Sequence, residues 1–348
     1  MSIFTNWRSG SRRAALSSLC AAALLLSLTL AGCGAATGSS TTGSSSSLTP
    51  LTVGLTYVPN IQFAPFYVAE QLGYYKAAGL NVTLRHHNFG EDEFAALAAG
   101  RENVIFAGGD EVLQARAKGL PLVYVANVFT HYPVTLIVPA SSSIQSVADL
   151  RGRTIGVPGL YGATYIGLLA LLHSAGLSTS DVKIQSIGYT QVPALVSHKV
   201  DAVMGYVNNE PIQFQKAGFA VRTFPASQAQ PLISNGLAAE ESELKAQPAA
   251  VRALIAATIK GVQYTIAHPQ DAVRLSQQYV PGLADPTTAQ SALQVLNATI
   301  PTMQPSASKP GYNDPAAWQS MATFLQQSGQ LTGQVDVTKA YSNEYLSQ

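Results

Sequence analysis

Past residue 33 this sequence contains no cysteine; its only two, Cys20 and Cys33, lie near the start of 348 residues. The long remainder therefore forms no disulfide, holds no zinc or iron–sulfur cluster through thiolates and uses no cysteine nucleophile. Charge is also scarce. Only 11% of residues are charged, the formal net charge is +1, and no basic cluster occurs. Nucleic-acid binding needs concentrated lysine and arginine to displace counterions, so that class is excluded. Absent too are a G-x-x-x-x-G-K-[ST] phosphate loop, an H-E-x-x-H zinc motif and a G-x-S-x-G nucleophile turn. The histidines are scattered apart from His86-His87. Neighbours on a strand point to opposite faces, so this pair reads as polar surface rather than a metal site.

What is present begins with Arg8, Arg12 and Arg13 ahead of a nearly uninterrupted apolar or small-residue run, Ala14 to Ala31. A charged start before a greasy stretch is the layout of a secretory signal, against the rival reading of an uncleaved membrane anchor. Leu30-Ala31-Gly32-Cys33 resembles the lipobox of bacterial lipoproteins. That resemblance implies a signal peptide over 1–32 and lipidation of Cys33, whose several acyl chains would hold the protein on the outer face of the cell membrane. Ser11-Arg12-Arg13 with Leu16 also carries a weak twin-arginine look. The Gly/Ser/Thr tract that follows, to residue 50, is too polar to bury anything and reads as a flexible leash.

Beyond the leash, strand-like and helix-like segments alternate, which predicts a mostly parallel sheet covered by helices. Strands are expected at Leu51–Leu55, Leu80–Leu84, Val104–Ala107, Leu122–Ala126 and Val134–Val138, with helices at Ala64–Ala77, Glu91–Ala99 and Glu111–Ala117. The pattern restarts near Val147, with strands at Thr154–Val157, Val182–Ile187, Ala202–Gly205 and Ala220–Thr223 and a long helix at Thr164–Ser174. From Glu240 the chain turns to helices, the last two over Pro286–Leu296 and Pro315–Ser328. Two similar α/β halves and a helical tail predict two lobes: 51–138 with 233–348, and 139–232 inserted between. Val134–Val138 and Leu232–Leu237 would then be hinge strands. Open α/β sheets bind ligands beyond the carboxyl ends of their strands, so facing lobes make a cleft able to close.

The stretch "YVPNIQFAPFYVAEQLGYYKAAGLNV", Tyr57 to Val82, resembles solute-binding proteins related to the thiamin-pyrimidine precursor binders. The likeness continues through Leu113-Gln114-Ala115-Arg116-Ala117 with Gly119 and Pro121, and through "DLRGRTIGV", Asp149 to Val157. It implies a two-lobed periplasmic-binding-protein fold of type II, a monomer, an ABC permease in the membrane as partner, and a small heteroaromatic ligand. The same superfamily contains a pyrimidine-synthesising enzyme. By resemblance that enzyme needs a cysteine-rich iron site and a pocket histidine, whereas this chain has no cysteine past residue 33 and places Phe63 where many relatives have histidine. No catalytic role, cofactor or metal is therefore expected. A sensory or scaffold lipoprotein on the same fold is a third reading.

Four strand-to-helix loops supply candidate ligand contacts. The first offers Asn60, Gln62 and Phe63, where Asn60 otherwise shapes a turn and Phe63 otherwise packs in the core. The second offers Asp110 and Glu111; Asp110 is equally suited to cap the next helix, with Glu111 adding favourable charge. In the third, Gly159 and Gly162 allow backbone turns that display Tyr161, and Thr164 can cap the helix. A tyrosine there presents a rigid face for a flat ring. The fourth, "GYVNNEP", offers Tyr206, Asn208, Asn209 and Glu210. The resemblance implies that a carboxylate here would bond an aminopyrimidine, whereas a flavin's uracil-like edge would suit the two amides; Glu210 otherwise caps the following helix. Tyr189, His131 and Tyr132 are lesser candidates. None of the four loops contains lysine or arginine, so a neutral flat ligand is expected rather than a sulfonate or nitrate. Gly-Leu-Tyr-Gly at 159–162 looks closer to relatives proposed to bind riboflavin than to pyrimidine binders, which stay the alternative.

Overall fold

The structure is a computed structural model, and it describes residues 47–88, 91–304 and 309–347. The expected signal peptide, Cys33 and most of the leash lie outside the described residues.

Two sheets of five strands organise the chain. The strands are β1 (Thr49–Leu55), β2 (Leu80–His86), β3 (Val104–Gly108), β4 (Leu122–Asn127), β5 (Val134–Pro139), β6 (Thr154–Val157), β7 (Lys183–Ser186), β8 (Ala202–Tyr206), β9 (Val221–Pro225) and β10 (Asn235–Glu240). The first sheet runs β2-β1-β3-β10-β4 and the second β7-β6-β8-β5-β9. β1 pairs parallel with β2 and β3, and β6 parallel with β7 and β8. In each sheet the single reversed strand, β10 or β5, lies inside the sheet and pairs antiparallel on both sides. Strands covered on both faces need apolar side chains throughout. Accordingly all of "VIFAG" in β3 is buried, whereas the edge strand β7, "KIQS", is mostly exposed.

The sheet topology corrects the expected hinge. β5 is not a connector of the first lobe but a strand of the second sheet, and β10 is built into the first. The chain instead passes between sheets in segments 128–133 and 226–234. One apolar core runs unbroken across that passage, from Ile105 and Trp318 through Tyr132 and Ile233 to Leu168 and Leu172.

Helices cover both sheets: α1 (Ala64–Gln71), α2 (Tyr74–Ala77), α3 (Glu93–Ala98), α4 (Gly109–Ala117), α5 (Gly162–Ser174), α6 (Gln191–Val196) and α7 (Glu210–Lys216). The tail adds α8 (Glu241–Ala246), α9 (Pro248–Ala267), α10 (Pro269–Leu275), α11 (Pro286–Met303) and α12 (Pro315–Gln327). The expected single helix over Ala64–Ala77 breaks at Gly73, whose φ of +69° is a left-handed conformation glycine adopts without strain. α11 continues past the expected stop at Leu296 and carries Pro301 in its final turn. α9 lies against α1 so closely that a Cβ on Gly261 would stand 2.1 Å from the Pro65 carbonyl oxygen.

His86 and His87 are not polar surface. His87 is buried and its Nε2 lies 2.6 Å from Glu102 Oε1, which also accepts from Arg85 Nη1 at 2.5 Å. Arg85 also pairs with Glu91. His86 bridges the Tyr67 hydroxyl and the Tyr57 carbonyl, each at 2.9 Å. Among the described residues no helix is long and apolar enough to cross a membrane, and no cluster of three His, Cys, Asp or Glu could hold a metal ion.

Candidate functional site

The carboxyl ends of β1, β3, β6, β7 and β8 carry the loops singled out in the sequence, and Tyr132 joins the two lobes among them. Its hydroxyl reaches Asp110 Oδ2 at 3.3 Å on the first lobe and the Ala163 carbonyl at 3.4 Å on the second. Its neighbour Pro133 accepts from the Val207 amide at 2.8 Å, which fixes the loop after β8 alongside. The turns after β3, β6 and β8 therefore meet around Tyr132, the place of the candidate crevice.

Within the β3–α4 turn, Glu111 Oε2 accepts from the Gly108 amide at 2.7 Å and caps the helix start. Asp110, for which capping and ligand contact were equally open, is 2% exposed and its Oδ2 accepts from the Tyr132 hydroxyl. In the β8–α7 turn a carboxylate instead reaches back past the helix start to the last residue of β8. Glu210 Oε2 accepts from the Tyr206 amide at 2.6 Å, and its Oε1 accepts from Asn209 Nδ2 at 3.1 Å. Asn209 Oδ1 in turn accepts from Gln213 at 2.7 Å. Gly108 and Gly205 leave room for these returning carboxylates, since a Cβ would stand 2.5 Å from Asp110 Oδ1 and 2.6 Å from Glu210 Oε2, respectively.

Burial shifts these groups together. It pushes Asp110 and Glu111 above the usual carboxylate range, and for Glu111 the neighbouring Asp110 adds to the rise. Glu210 rises from burial too, against the amides bonded to it. Glu93, at the start of α3, is pushed up by burial and then by the charges of Glu111, Asp92 and Glu102. The hydroxyl of Tyr206 is raised by burial, then by Glu111, Glu210 and Asp110, then by Tyr189. Tyr189 is raised by burial, then by Tyr161 and Tyr57. The crevice thus has an acidic floor and a tyrosine rim drawn from both lobes.

The rim side chains are exposed to different degrees: Tyr57 48%, Tyr161 68% and Tyr189 72%, while Tyr206, at 37%, keeps its ring edge open and its hydroxyl buried. Tyr161 is placed by Gly159, because a Cβ there would lie 2.3 Å from its ring. Gly162, with φ at +70°, then turns the chain into α5. α5 begins at Gly162 with Tyr161 as its N-terminal flanking residue, so Thr164 is not the cap the sequence suggested; it is buried in the first turn.

Other candidates stand apart. Asn60 Oδ1 accepts from the Gln62 amide at 3.2 Å, the turn-shaping role open to it from the start, and Gln62 is half-buried. Phe63 is 1% exposed and packs edge-on against His86 and Phe106, so it belongs to the core of the first sheet. Asn208 is buried, and its Nδ2 donates to Thr299 Oγ1 of α11 at 2.8 Å, tying the second lobe to the helical tail. His131 is exposed and bonded to Thr130. Tyr57 was singled out only as part of a motif, and Glu93 not at all. An aromatic beside Pro59-Asn60 was the available signal for Tyr57; nothing local marks Glu93. Two surface concavities of about 340 and 460 Å³ lie elsewhere, against β7 and between α5 and α12, and include none of these residues.

Comparison with known proteins adds four findings. A family described as NMT1/THI5 like matches residues 60–272. The chain is 36% identical over 307 residues to the riboflavin-binding protein RibY of Chloroflexus aurantiacus, covering 86% of each. It is 26% identical over 328 residues to the formylaminopyrimidine-binding protein of Halalkalibacterium halodurans, covering 92% of this chain and 96% of that one. Among solved structures, the periplasmic aliphatic sulphonate binding protein SsuA of Escherichia coli superposes with a TM-score of 0.67 at 18% identity, over 84% of this chain and 91% of that one. The fold is the two-lobed α/β architecture expected of a type II periplasmic binding protein.

Proposed function

This chain belongs to the NMT1/THI5-like family, and from that premise we propose that it is the solute-binding component of an ABC importer and captures riboflavin outside the cytoplasm. The observation that carries this reading is the rim of four exposed tyrosines, contributed by loops of both lobes above a floor without lysine or arginine. A planar heteroaromatic ring gains most from burial between rigid aromatic faces, and polar groups then choose its edge. Kinship with RibY supports a flavin. The returning geometry of Glu210, whose two oxygens already serve the Tyr206 amide and Asn209, favours a flavin over an aminopyrimidine that would need that carboxylate free. The pyrimidine-synthesising reading lacks support, because the sequence past residue 33 has no cysteine for an iron site.

The working cycle follows from the two lobes. Ligand binds the crevice, favours the closed arrangement by its greater contact there, and the closed monomer is presented to the permease. Cys33 would carry the lipid that keeps the protein at the membrane's outer face. Purified protein titrated with riboflavin tests the core of the reading: quenching of flavin fluorescence at an equimolar end point is expected. Unchanged flavin fluorescence, together with saturable binding of the aminopyrimidine in a calorimetric titration, would transfer the function to the pyrimidine. Fractionation of cells producing Cys33→Ser checks the anchor, since release from the membrane is expected.

A further inference from the structure

Three hydrogen-bonded places along α11 meet the boundary between the lobes. In its last turn the Thr302 carbonyl accepts from the amides of Thr130 and His131, at 2.6 and 3.2 Å, in a segment that crosses between the sheets. One turn earlier Thr299 Oγ1 accepts from Asn208 Nδ2 of the second lobe at 2.8 Å. Two turns further back Ser291 Oγ accepts from Lys216 Nζ, at the end of α7, at 3.2 Å. The same helix packs on the first lobe, where Leu296 shares an apolar cluster with Ile61, Ala64 and Val68. α11 thus meets the loop after β1 through Ile61 and the loop after β8 through Asn208. Both partners of the middle bond are buried, Asn208 at 6% exposure and Thr299 at 1%. The Thr299 hydroxyl spends its proton on the Val295 carbonyl at 2.7 Å, so toward Asn208 it only accepts. With the crossing segment as pivot and about 1.5 Å of rise per residue, Thr299 lies roughly 4.5 Å away and Ser291 roughly 17 Å. A lobe rotation of about 15°, the order of rigid-body switches, shifts lobe against helix by roughly 1 Å at Thr299 and 4 Å at Ser291. The exposed, flexible Lys216 side chain can follow such a shift. The buried amide cannot: its bond is lost and two enclosed polar groups are left unpaired.

We propose that Asn208 is a positioning residue: through Thr299 it fixes the angle between the lobes at which the tyrosine rims oppose each other, and so raises affinity without touching the ligand. This role rests on the solute-capture reading and deepens it. A free protein held near its binding angle loses less conformational freedom on capture, and its apparent affinity rises with the fraction already competent. Asn208, expected from its loop to choose the ligand's edge, would then act one step behind the ligand, from the helix that both lobes share.

Spin labels at Lys76→Cys on α2 and Lys183→Cys on β7, both exposed positions, read the inter-lobe distance without ligand. The parent chain carries Cys20→Ser and Cys33→Ser, so the two introduced cysteines are its only ones. It should give one narrow distance distribution. Asn208→Ala and Thr299→Val should each broaden or displace that distribution, and the double variant should do no more than either alone, since all three lose one bond. Thr299→Ser, which keeps the hydroxyl, should match the parent. Riboflavin binding should weaken about fivefold in Asn208→Ala and in Thr299→Val, the fold-change of one hydrogen bond, and recover in Thr299→Ser. A purely local loss of stability leaves the distances where they were, so an unchanged distribution in Asn208→Ala overturns the proposal. Altered distances with unaltered affinity overturn it too. If Asn208→Ala fails to fold, the isosteric Thr299→Val reads the same bond. Should riboflavin not bind the parent, the riboflavin reading fails by itself, and the distances still decide whether Asn208 sets the angle.

Discussion

Replacing Tyr161 with alanine removes a freely displayed face of the rim without touching the core. A tyrosine buries roughly 150–250 Å² when covered, so a ring that is 68% exposed offers about 140 Å², of which a planar ligand takes about half on one face. At about 25 cal/mol per Å², that contact contributes roughly 1.7 kcal/mol, or a Kd weakened about 20-fold. Flavin fluorescence titration reads the effect directly. Tyr161→Phe keeps the face and should stay within about threefold of wild type, while the urea midpoint of both variants should not move, because exposed side chains contribute little to folding. Gly159→Ala provides an independent handle: its methyl must displace the Tyr161 ring, so it should weaken binding in the same direction. Wild-type affinity in Tyr161→Ala would refute stacking on this loop. An equal loss in Tyr161→Phe would shift the contribution to the hydroxyl.

The ligand-free protein should become less stable as pH rises from about 5 to 8. Glu93, Asp110, Glu111 and Glu210 all hold protons in the folded state at pH values where the unfolded chain has released them, and stability falls with pH wherever the native state binds more protons. Urea midpoints at three pH values across this window check the sign, Asp110→Asn should flatten the slope, and a midpoint that climbs with pH contradicts it. Asn208→Ala should cost about 1 kcal/mol in urea unfolding by removing the bond to Thr299, and a double-mutant cycle with Thr299→Val should show coupling; strict additivity would mean the bond contributes nothing. Gly261→Ala should destabilise by about 1–3 kcal/mol through the clash with Pro65, and an unchanged midpoint would show that α1 and α9 can separate freely.

Much of this was readable in the residues because local periodicity and turn chemistry write strands, helices and the loops between them. The alternation placed β1 to β4 and β6 to β8 within a residue or two, and the loop tips that proved open, Tyr161 and Tyr189, were recognisable as aromatics among glycines. What was misread depends on partners distant in sequence. β5 and β10 look like linkers until their neighbours in the sheets are known. Phe63 sits in a ligand-facing loop by position, yet Phe106 and His86 enclose it. Glu111 bonds the Gly108 amide, whereas Asp110 Oδ2 accepts from Tyr132, 22 residues away. His87 is buried because Glu102 receives it. α11 outruns its expected end because Thr299 and Thr302, near Pro301, are buried against neighbouring elements.

The interior positions of β5 and β10 also dictate an order of assembly. The second sheet is spelled by one continuous stretch, from Val134 to Pro225, and can close as soon as that stretch exists. The first cannot: β4 reaches β3 only through β10, which leaves the ribosome after the whole of the other sheet. The half synthesised first is therefore finished last, with β4 and one edge of β3 waiting on a distant contact of the kind that slows folding.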